Sequence, residues 1–218
     1  MCIDPLGDHV LTCKQPTGSI RGHNCLMDVL ANLARVSNIG PVRVNHKVPT
    51  TDDGTRKQGD DKISNFPISF CDGLVIDISF ECEFMGSSRA LGGWNDSVRH
   101  TQDVLQARAN VKNNKYTEAY GLLHKAFTPA ITGMSGQIHV DFLCLLWVLA
   151  DKQIQSHYEC MGKEDKIGNH AFQWVRAKVF NSKKSCIGRA IVFGCATRCQ
   201  LSVHSLVLPS SGSGDDSC

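Results

Sequence analysis

The stretch Gly73-Leu74-Val75-Ile76-Asp77-Ile78-Ser79-Phe80 is the segment that decides how this chain folds. Its first half is apolar at consecutive positions, which is typical of a strand that is buried on both faces of a sheet. Asp77 interrupts this apolar run, and a carboxylate is costly to bury unless a cation or strong hydrogen bonds compensate for it. The segment therefore predicts a central strand, and Asp77 needs a compensating partner.

Two more strands are expected on the N-terminal side of this segment. Residues 42–48 alternate between apolar and polar side chains, which indicates a half-buried strand. The polar cluster at 50–54 suits a hairpin turn, and a return strand is expected over residues 56–63. A loop at 64–67 would then lead into the central strand.

Helical periodicity is found on both sides of these strands. Apolar residues at helical spacing predict a helix that begins at Asn24, which can cap it, and stops near Asn38. The same period returns over residues 98–125. It places Lys112 and Tyr116, four residues apart, on one face of that second helix.

The C-terminal half predicts one more strand followed by helices. Residues 126–132 suit a fourth strand and 138–152 a helix. Two further helices are expected around residues 172–179 and 187–195, the second weakened by its glycines. The fold class is therefore α/β, with a mixed central sheet of about four strands flanked by helices and a helical C-terminal extension. The expected organisation is an N-terminal segment at 1–23, the α/β domain at 24–152, the extension at 153–208 and a disordered tail at 209–218.

Composition and charge limit the classes of function. The chain has 218 residues, 42% of them hydrophobic, and a formal charge of +2, so bulk charge gives no sign of nucleic-acid binding. The 11 cysteines are odd in number and no signal-peptide pattern is present at the N-terminus, which favours a reducing, intracellular compartment. The longest apolar stretch, residues 142–150, is too short to cross a bilayer, so no membrane partner is expected.

Two carboxylates and one lysine are the candidate catalytic groups. Magnesium is usually held by one or two carboxylates together with substrate phosphate, and Asp60 and Asp77 can supply that pair if their strands are adjacent. Lys112, on a helix over the sheet, can orient the nucleophile or offset charge on the phosphate oxygens. The alternative is that Asp60 and Asp61 are turn residues in a polar hairpin and that Asp77 is bonded to a neighbouring backbone group.

An ordered set of short motifs resembles one nuclease family. The chain is similar, over roughly residues 4–152, to the restriction-endonuclease-like domain of site-specific non-LTR retrotransposons and related reverse-transcriptase-associated proteins, a member of the PD-(D/E)xK superfamily. The motifs that carry the resemblance are Asp4-Pro5-Leu6-Gly7-Asp8-His9 with Cys13, then Arg21 and His23-Asn24, then Arg56 and Gly59-Asp60, then Ile76-Asp77-Ile78, and finally Lys112 with Tyr116.

This resemblance implies a metal-dependent DNA endonuclease that nicks its target with Mg²⁺ or Mn²⁺. Asp60 and Asp77 match the two acids of the motif, and Lys112 and Tyr116 match a lysine-tyrosine pair on the helix after the sheet. Ser79 stands where the superfamily often has its lysine, so the positive charge is expected from Lys112 or Lys115. The implied partners are DNA, and also RNA or a reverse transcriptase, which implies a nuclear location. The implied nucleic-acid contacts are Arg21, His23, Arg56 and Lys115.

A zinc site is the remaining expectation from the resemblance. Cys2, His9 and Cys13 look like the back half of the zinc knuckle that precedes the nuclease in such elements. Structural zinc sites usually have four ligands, and His23 is a fourth only if the loop folds back. Ordinary thiols with a turn-capping His9 are an equally good interpretation. The alternatives to an active nuclease are therefore an inactive nucleic-acid-binding remnant and a zinc-binding structural or interaction domain.

Overall fold

The computed structural model describes residues 16–44, 60–66, 70–81 and 101–207, which form a mixed α/β fold. A four-stranded sheet has the strand order β1-β2-β3-β4 and is flanked by the helices. The elements, in chain order, are α1 (Pro16–Val36), β1 (Val42–Val44), β2 (Asp61–Ser64), β3 (Gly73–Glu81), α2 (Thr101–Gly121), β4 (Ala126–Gly133), α3 (Val140–Cys160), a short 3-10 helix (Glu164–Lys166) and α4 (His170–Val207).

The sheet is mixed because its connections differ. β2 pairs antiparallel with both β1 and β3, whereas β4 pairs parallel with β3. A parallel pair needs a crossover connection, and α2 is the helix between β3 and β4. This crossover lays α2 on one face of β3 and β4, with Lys112 in its middle.

Side chains of β3 alternate between the two faces of the sheet. Leu74, Ile76 and Ile78 enter the main core, which α1, α3 and α4 also line. Val75 packs on the opposite face against Tyr120 of α2. Both faces of this strand are covered, as its apolar sequence predicts, and period-2 alternation leaves Asp77 on the α2 face.

The main core lies between the sheet and a layer of helices. α1 and α3 contact the sheet, and α4 packs against both of these helices. Ile187, Ala190 and Ile191 of α4 are almost fully buried in the same core as the strand residues. α4, which lies in the expected helical extension, thus contributes to the main core, and residue 153 lies inside α3.

Most of the predicted elements in the described residues are confirmed. The antiparallel β1-β2 pair, the central strand at 73–81 and the fourth strand at 126–133 are all present. The predicted hairpin turn (within 45–59), residues 86–97, which are rich in glycine and serine, and the predicted tail (209–218) lie outside the described residues. Among the described helices, none is both long and apolar enough to cross a lipid bilayer.

Two helix predictions were wrong. α1 begins at Pro16 and not at Asn24, which lies inside the helix and does not cap it. Proline suits the first turn of a helix, because the backbone N–H it lacks would have no partner there. The two helices expected near residues 172–179 and 187–195 are one continuous helix, α4, of 38 residues.

Gly194 of α4 lies at a helix crossing, and neither Gly188 nor Gly194 interrupts the helix. A Cβ atom on Gly22 of α1 would lie 2.9 Å from Cα of Gly194, which is closer than real Cβ contacts. Two helices can approach this closely only where both lack side chains. Gly22 and Gly194 each lower helix propensity, and the close packing of α1 on α4 offsets this loss of stability.

Replacing Gly22 with Ala is expected to lower the free energy of unfolding by about 1–3 kcal/mol, because the added methyl group must push the two helices apart. Gly188→Ala on α4 is the matched control, since a Cβ there would have no atom within 4 Å. That control is expected to stabilise the protein by about 0.5–1 kcal/mol through helix propensity alone. Urea unfolding of both variants measures the difference, and equal midpoints would contradict the crossing.

Lys183 ties α4 to the end of α1. Its ammonium group donates to Ser37 Oγ at 2.8 Å and to the Leu33 carbonyl at 3.3 Å. The last carbonyls of a helix lack helical partners, and a cation there is favoured by the helix dipole. Burial lowers the pKa of Lys183 to about 8.

Candidate functional site

The carboxylates of Asp60 and Asp77 and the ammonium group of Lys112 come together on the α2 face of the sheet. Asp60 lies immediately before β2 and Asp77 in the middle of β3, and the Asp60 N–H donates to the Ile76 carbonyl at 3.0 Å. The two carboxyl groups are close enough for each to shift the pKa of the other. Lys112 Nζ lies 2.6 Å from Asp77 Oδ2. Adjacent strands and one crossover helix therefore bring together three groups that are far apart in sequence.

Asp60 is held in place by two donors. The backbone N–H of Ile78 donates to its Oδ2 atom at 2.6 Å, and Nε2 of His23 donates to the same oxygen at 3.1 Å. Burial alone would raise the pKa of Asp60, but the hydrogen bond and charge of His23 and the bond from Ile78 hold this pKa below its ordinary value. Asp60 is therefore the carboxylate of the pair that ionises more readily.

Asp77 is the more deeply placed carboxylate, with 7% of its surface exposed. Burial raises its pKa, the nearby charge of Asp60 adds to the effect, and the hydrogen bond and charge of Lys112 oppose it. The Lys112 side chain is itself only 12% exposed. Two neighbouring carboxyls with opposite pKa shifts are typical of functional sites, although ion pairs in a structural role also shift pKa values.

An aromatic cluster lies beside these groups. Tyr116, Tyr120 and Phe127 have ring centroids 5.2–6.0 Å apart. Tyr120 is buried, its hydroxyl has no hydrogen-bond partner among the described residues, and burial with the Asp77 charge raises its pKa. Tyr116 thus lies on the helix face of Lys112, as predicted, and its ring packs in this cluster.

A second ion pair extends the site along the sheet. Arg108 Nε lies 2.8 Å from Glu81 Oε1, one helical turn from Lys112 on α2 and four residues beyond Asp77 on β3. Burial raises the pKa of Glu81, while Arg108 lowers it. We did not expect this pair. The period-2 alternation of Asp77, Ser79 and Glu81 and the spacing of Arg108 and Lys112 could have revealed it.

Asp61 is turned the other way, toward α1. It is 1% exposed, and neither of its carboxylate oxygens has a hydrogen-bond partner in the described part of the chain. Burial raises its pKa to about 7, and the Asp60 charge adds to this effect. The alternative in which Asp61 is a turn residue of a polar hairpin is therefore wrong, because Asp61 lies in β2 and pairs with Val44 and Ile76.

The remaining predicted site residues are placed as follows. His23 contacts Asp60, which gives it a partner other than the predicted nucleic acid or zinc. Lys115 lies over the Tyr116 ring at 4.9 Å and is exposed, as is Arg21. Arg56 and the candidate zinc ligands Cys2, His9 and Cys13 lie outside the described residues.

The donor set suits a hard divalent cation. The contacts of His23, Ile78 and Lys112 all go to Oδ2 atoms of the two carboxylates, and carboxylate oxygens are ligands that Mg²⁺ accepts. Magnesium needs only one or two carboxylates when water and phosphate complete its shell. Residues 16–44, 60–66, 70–81 and 101–207 contain no group of three or more His, Cys, Asp or Glu side chains placed to hold a metal, so the pair must act with such added ligands.

No protein-family model matches the sequence, and no curated protein matches it either.

Proposed function

We propose that this chain is a metal-dependent DNA endonuclease domain with a restriction-endonuclease-like PD-(D/E)xK core, related to the nucleases of retroelements. The observation that supports the proposal is the meeting of Asp60, Asp77 and Lys112 on one face of a mixed sheet. A pair of buried carboxylates side by side is unfavourable without a cation. In a phosphodiester nuclease, such a pair binds the metal ion that activates the phosphate.

Each side chain has a distinct task in this proposal. Asp60 and Asp77 would hold Mg²⁺ or Mn²⁺, and the bound ion would polarise the phosphate and acidify an attacking water. Lys112 favours the ionised form of Asp77 through its direct contact and would bring positive charge to the place where negative charge develops on the phosphate. His23 and the Ile78 N–H fix the rotation of the Asp60 carboxylate.

The first experiment is nicking of supercoiled plasmid by the purified chain with Mg²⁺ or Mn²⁺. We expect conversion to the open circle with either ion and none with EDTA. Salt-dependent DNA binding without nicking would support an inactive nucleic-acid-binding remnant. One bound zinc per chain with neither activity would support the zinc-binding interaction domain.

His23→Ala is expected to weaken binding of the metal about 10–100-fold, because a carboxylate ligand loses the partner that orients it. Calorimetric titration with Mn²⁺ measures this without reference to nicking. His23→Gln is the control, since its amide can still donate to Asp60, and it should recover most of the affinity. Equal Mn²⁺ affinity in the Ala variant and the wild type would show that His23 does not orient Asp60.

A further inference from the structure

Three basic residues lie together on the α2 face of the sheet, beside the acid pair. Arg43 of β1 pairs directly with Lys62 of β2, and Lys62 pairs with Val75 of β3. Val75 packs against Tyr120 of α2, so cross-strand neighbours at this level share its face. Arg43 and Lys62 therefore project on the side of the sheet that carries Asp77.

Lys125 completes the group from the other side of β3. It precedes Ala126, which pairs with Leu74, and alternation places Lys125 on the opposite face from Ala126 in the main core. Burial lowers the pKa of Lys125, and repulsion from Lys62 lowers it further. The two ammonium groups are therefore close enough to repel each other.

These cations are available for a ligand. Arg43 is exposed, and Lys62 and Lys125 are half-buried. None of the three forms a salt bridge within the described residues, where Asp72 is the acid whose charge reaches Lys125. The packing of α2 is on β4 and β3, so this helix does not cover the β1-β2 part of the face.

The position of the group relative to Asp77 points to the kind of ligand. Lys62 faces Val75, two residues before Asp77 on the same face, and such diagonal neighbours are about 7–8 Å apart. Like charges that repel one another and form no salt bridge within the described residues favour a multivalent anion. DNA presents a row of phosphates, and this row can continue past the cations to the acid pair.

We propose that Arg43, Lys62 and Lys125, here called the basic strip, bind phosphates of the DNA strand that is cut, next to the phosphodiester that is hydrolysed. The inference rests on the proposed nuclease function and adds where its substrate lies. The strand would cross β1 and β2 over the basic strip before reaching Asp60 and Asp77. The contacts are to the backbone, so they provide affinity and register without selecting a base sequence.

The test is binding of a fluorescein-labelled duplex by the full chain in EDTA, followed by anisotropy over a range of salt concentrations. Replacing all three strip residues with Gln is expected to weaken binding about 10–100-fold at 0.1 M salt. The slope of log affinity against log salt should become shallower by about 0.9 for each lost phosphate contact. The matched control replaces Lys163, Lys166 and Lys184, which lie on the 3-10 helix segment and α4, with Gln and should change affinity less than about twofold.

The outcomes separate this inference from the nuclease proposal. Equal affinities and salt slopes for the strip variant and the wild type would overturn the basic strip, whatever the nicking assay shows. A specific loss in the strip variant supports the strip even if the wild type does not nick, in which case only the nuclease proposal fails. Thermal unfolding checks that the strip variant is folded. Its melting temperature should not fall, because the substitutions remove repulsion between the three cations.

Discussion

Asp77→Asn is expected to reduce plasmid nicking by about 10²–10³-fold, because an amide cannot replace a carboxylate that binds a metal worth several kcal/mol to the transition state. Asp60→Asn should have a similar effect, since both carboxylates would share one ion. The measurement is the initial rate of nicking at saturating Mg²⁺.

Asp151→Asn is the matched control for this loss. Asp151 also forms a partly buried ion pair, with its Oδ1 atom 2.8 Å from Nη1 of Arg176. It lies on α3, which packs on the other face of the sheet. This variant should nick at the rate of the wild type. If Asp77→Asn nicked at that rate too, the Asp77–Lys112 pair would be a structural ion pair and the catalytic proposal would fail.

The role of Lys112 is tested by comparing the single variant Asp77→Asn with a double variant that also carries Lys112→Met. Asp77→Asn alone leaves an ammonium group that is only 12% exposed without its partner, which should cost stability. Asp77→Asn with Lys112→Met should recover that stability, while nicking stays lost. Urea unfolding and nicking rates together thus distinguish misfolding from the loss of catalytic groups.

Asp61 is expected to make the protein less stable as the pH rises from about 4 to about 7. Burial raises its pKa from 3.8 to about 7, so the folded state keeps a proton that the unfolded state has already released. The unfolded state binds fewer protons in this window, and the free energy of unfolding therefore falls with rising pH. A pKa shift of about three units corresponds to a loss of about 4 kcal/mol in the free energy of unfolding, and this loss is complete above pH 7.

Asp61→Asn should remove this pH dependence. The variant is expected to match the wild type near pH 4 and to exceed it by a few kcal/mol at pH 8, as measured by urea unfolding at both pH values. Asp103→Asn, an exposed acid in the first turn of α2, is the control and should change stability by only a few tenths of a kcal/mol. Lower stability of Asp61→Asn at pH 8 would show that the Asp61 carboxylate has a favourable partner.

The central strand and its acid could be predicted because the information is local. An apolar run of the right length between turn residues specifies a buried strand, and its period-2 pattern specifies which residues share a face. The spacing of Lys112 and Tyr116 specified one helical face in the same way. These features depend on residues within a few positions of each other.

Features that depend on contacts between distant segments were missed or mistaken. Gly194 looked like a weak point of a helix, and only the approach of Gly22 shows that it allows two helices to cross. Asn24 had the residue type of a helix cap, but the helix continues to Pro16 on its N-terminal side. At Gly194, packing overrides local propensity.

The strands, the α2 face with its lysine and the acid at Asp77 could be predicted, because hydrophobic period and the spacing of chain neighbours are sufficient for these. Three relations depend on how the elements pack: His23 holds Asp60, Asp61 is buried without a described partner, and Arg43, Lys62 and Lys125 lie together. Strand register and helix docking set these relations. A shift of one residue in pairing would exchange the two faces, and no local pattern records which neighbours then meet.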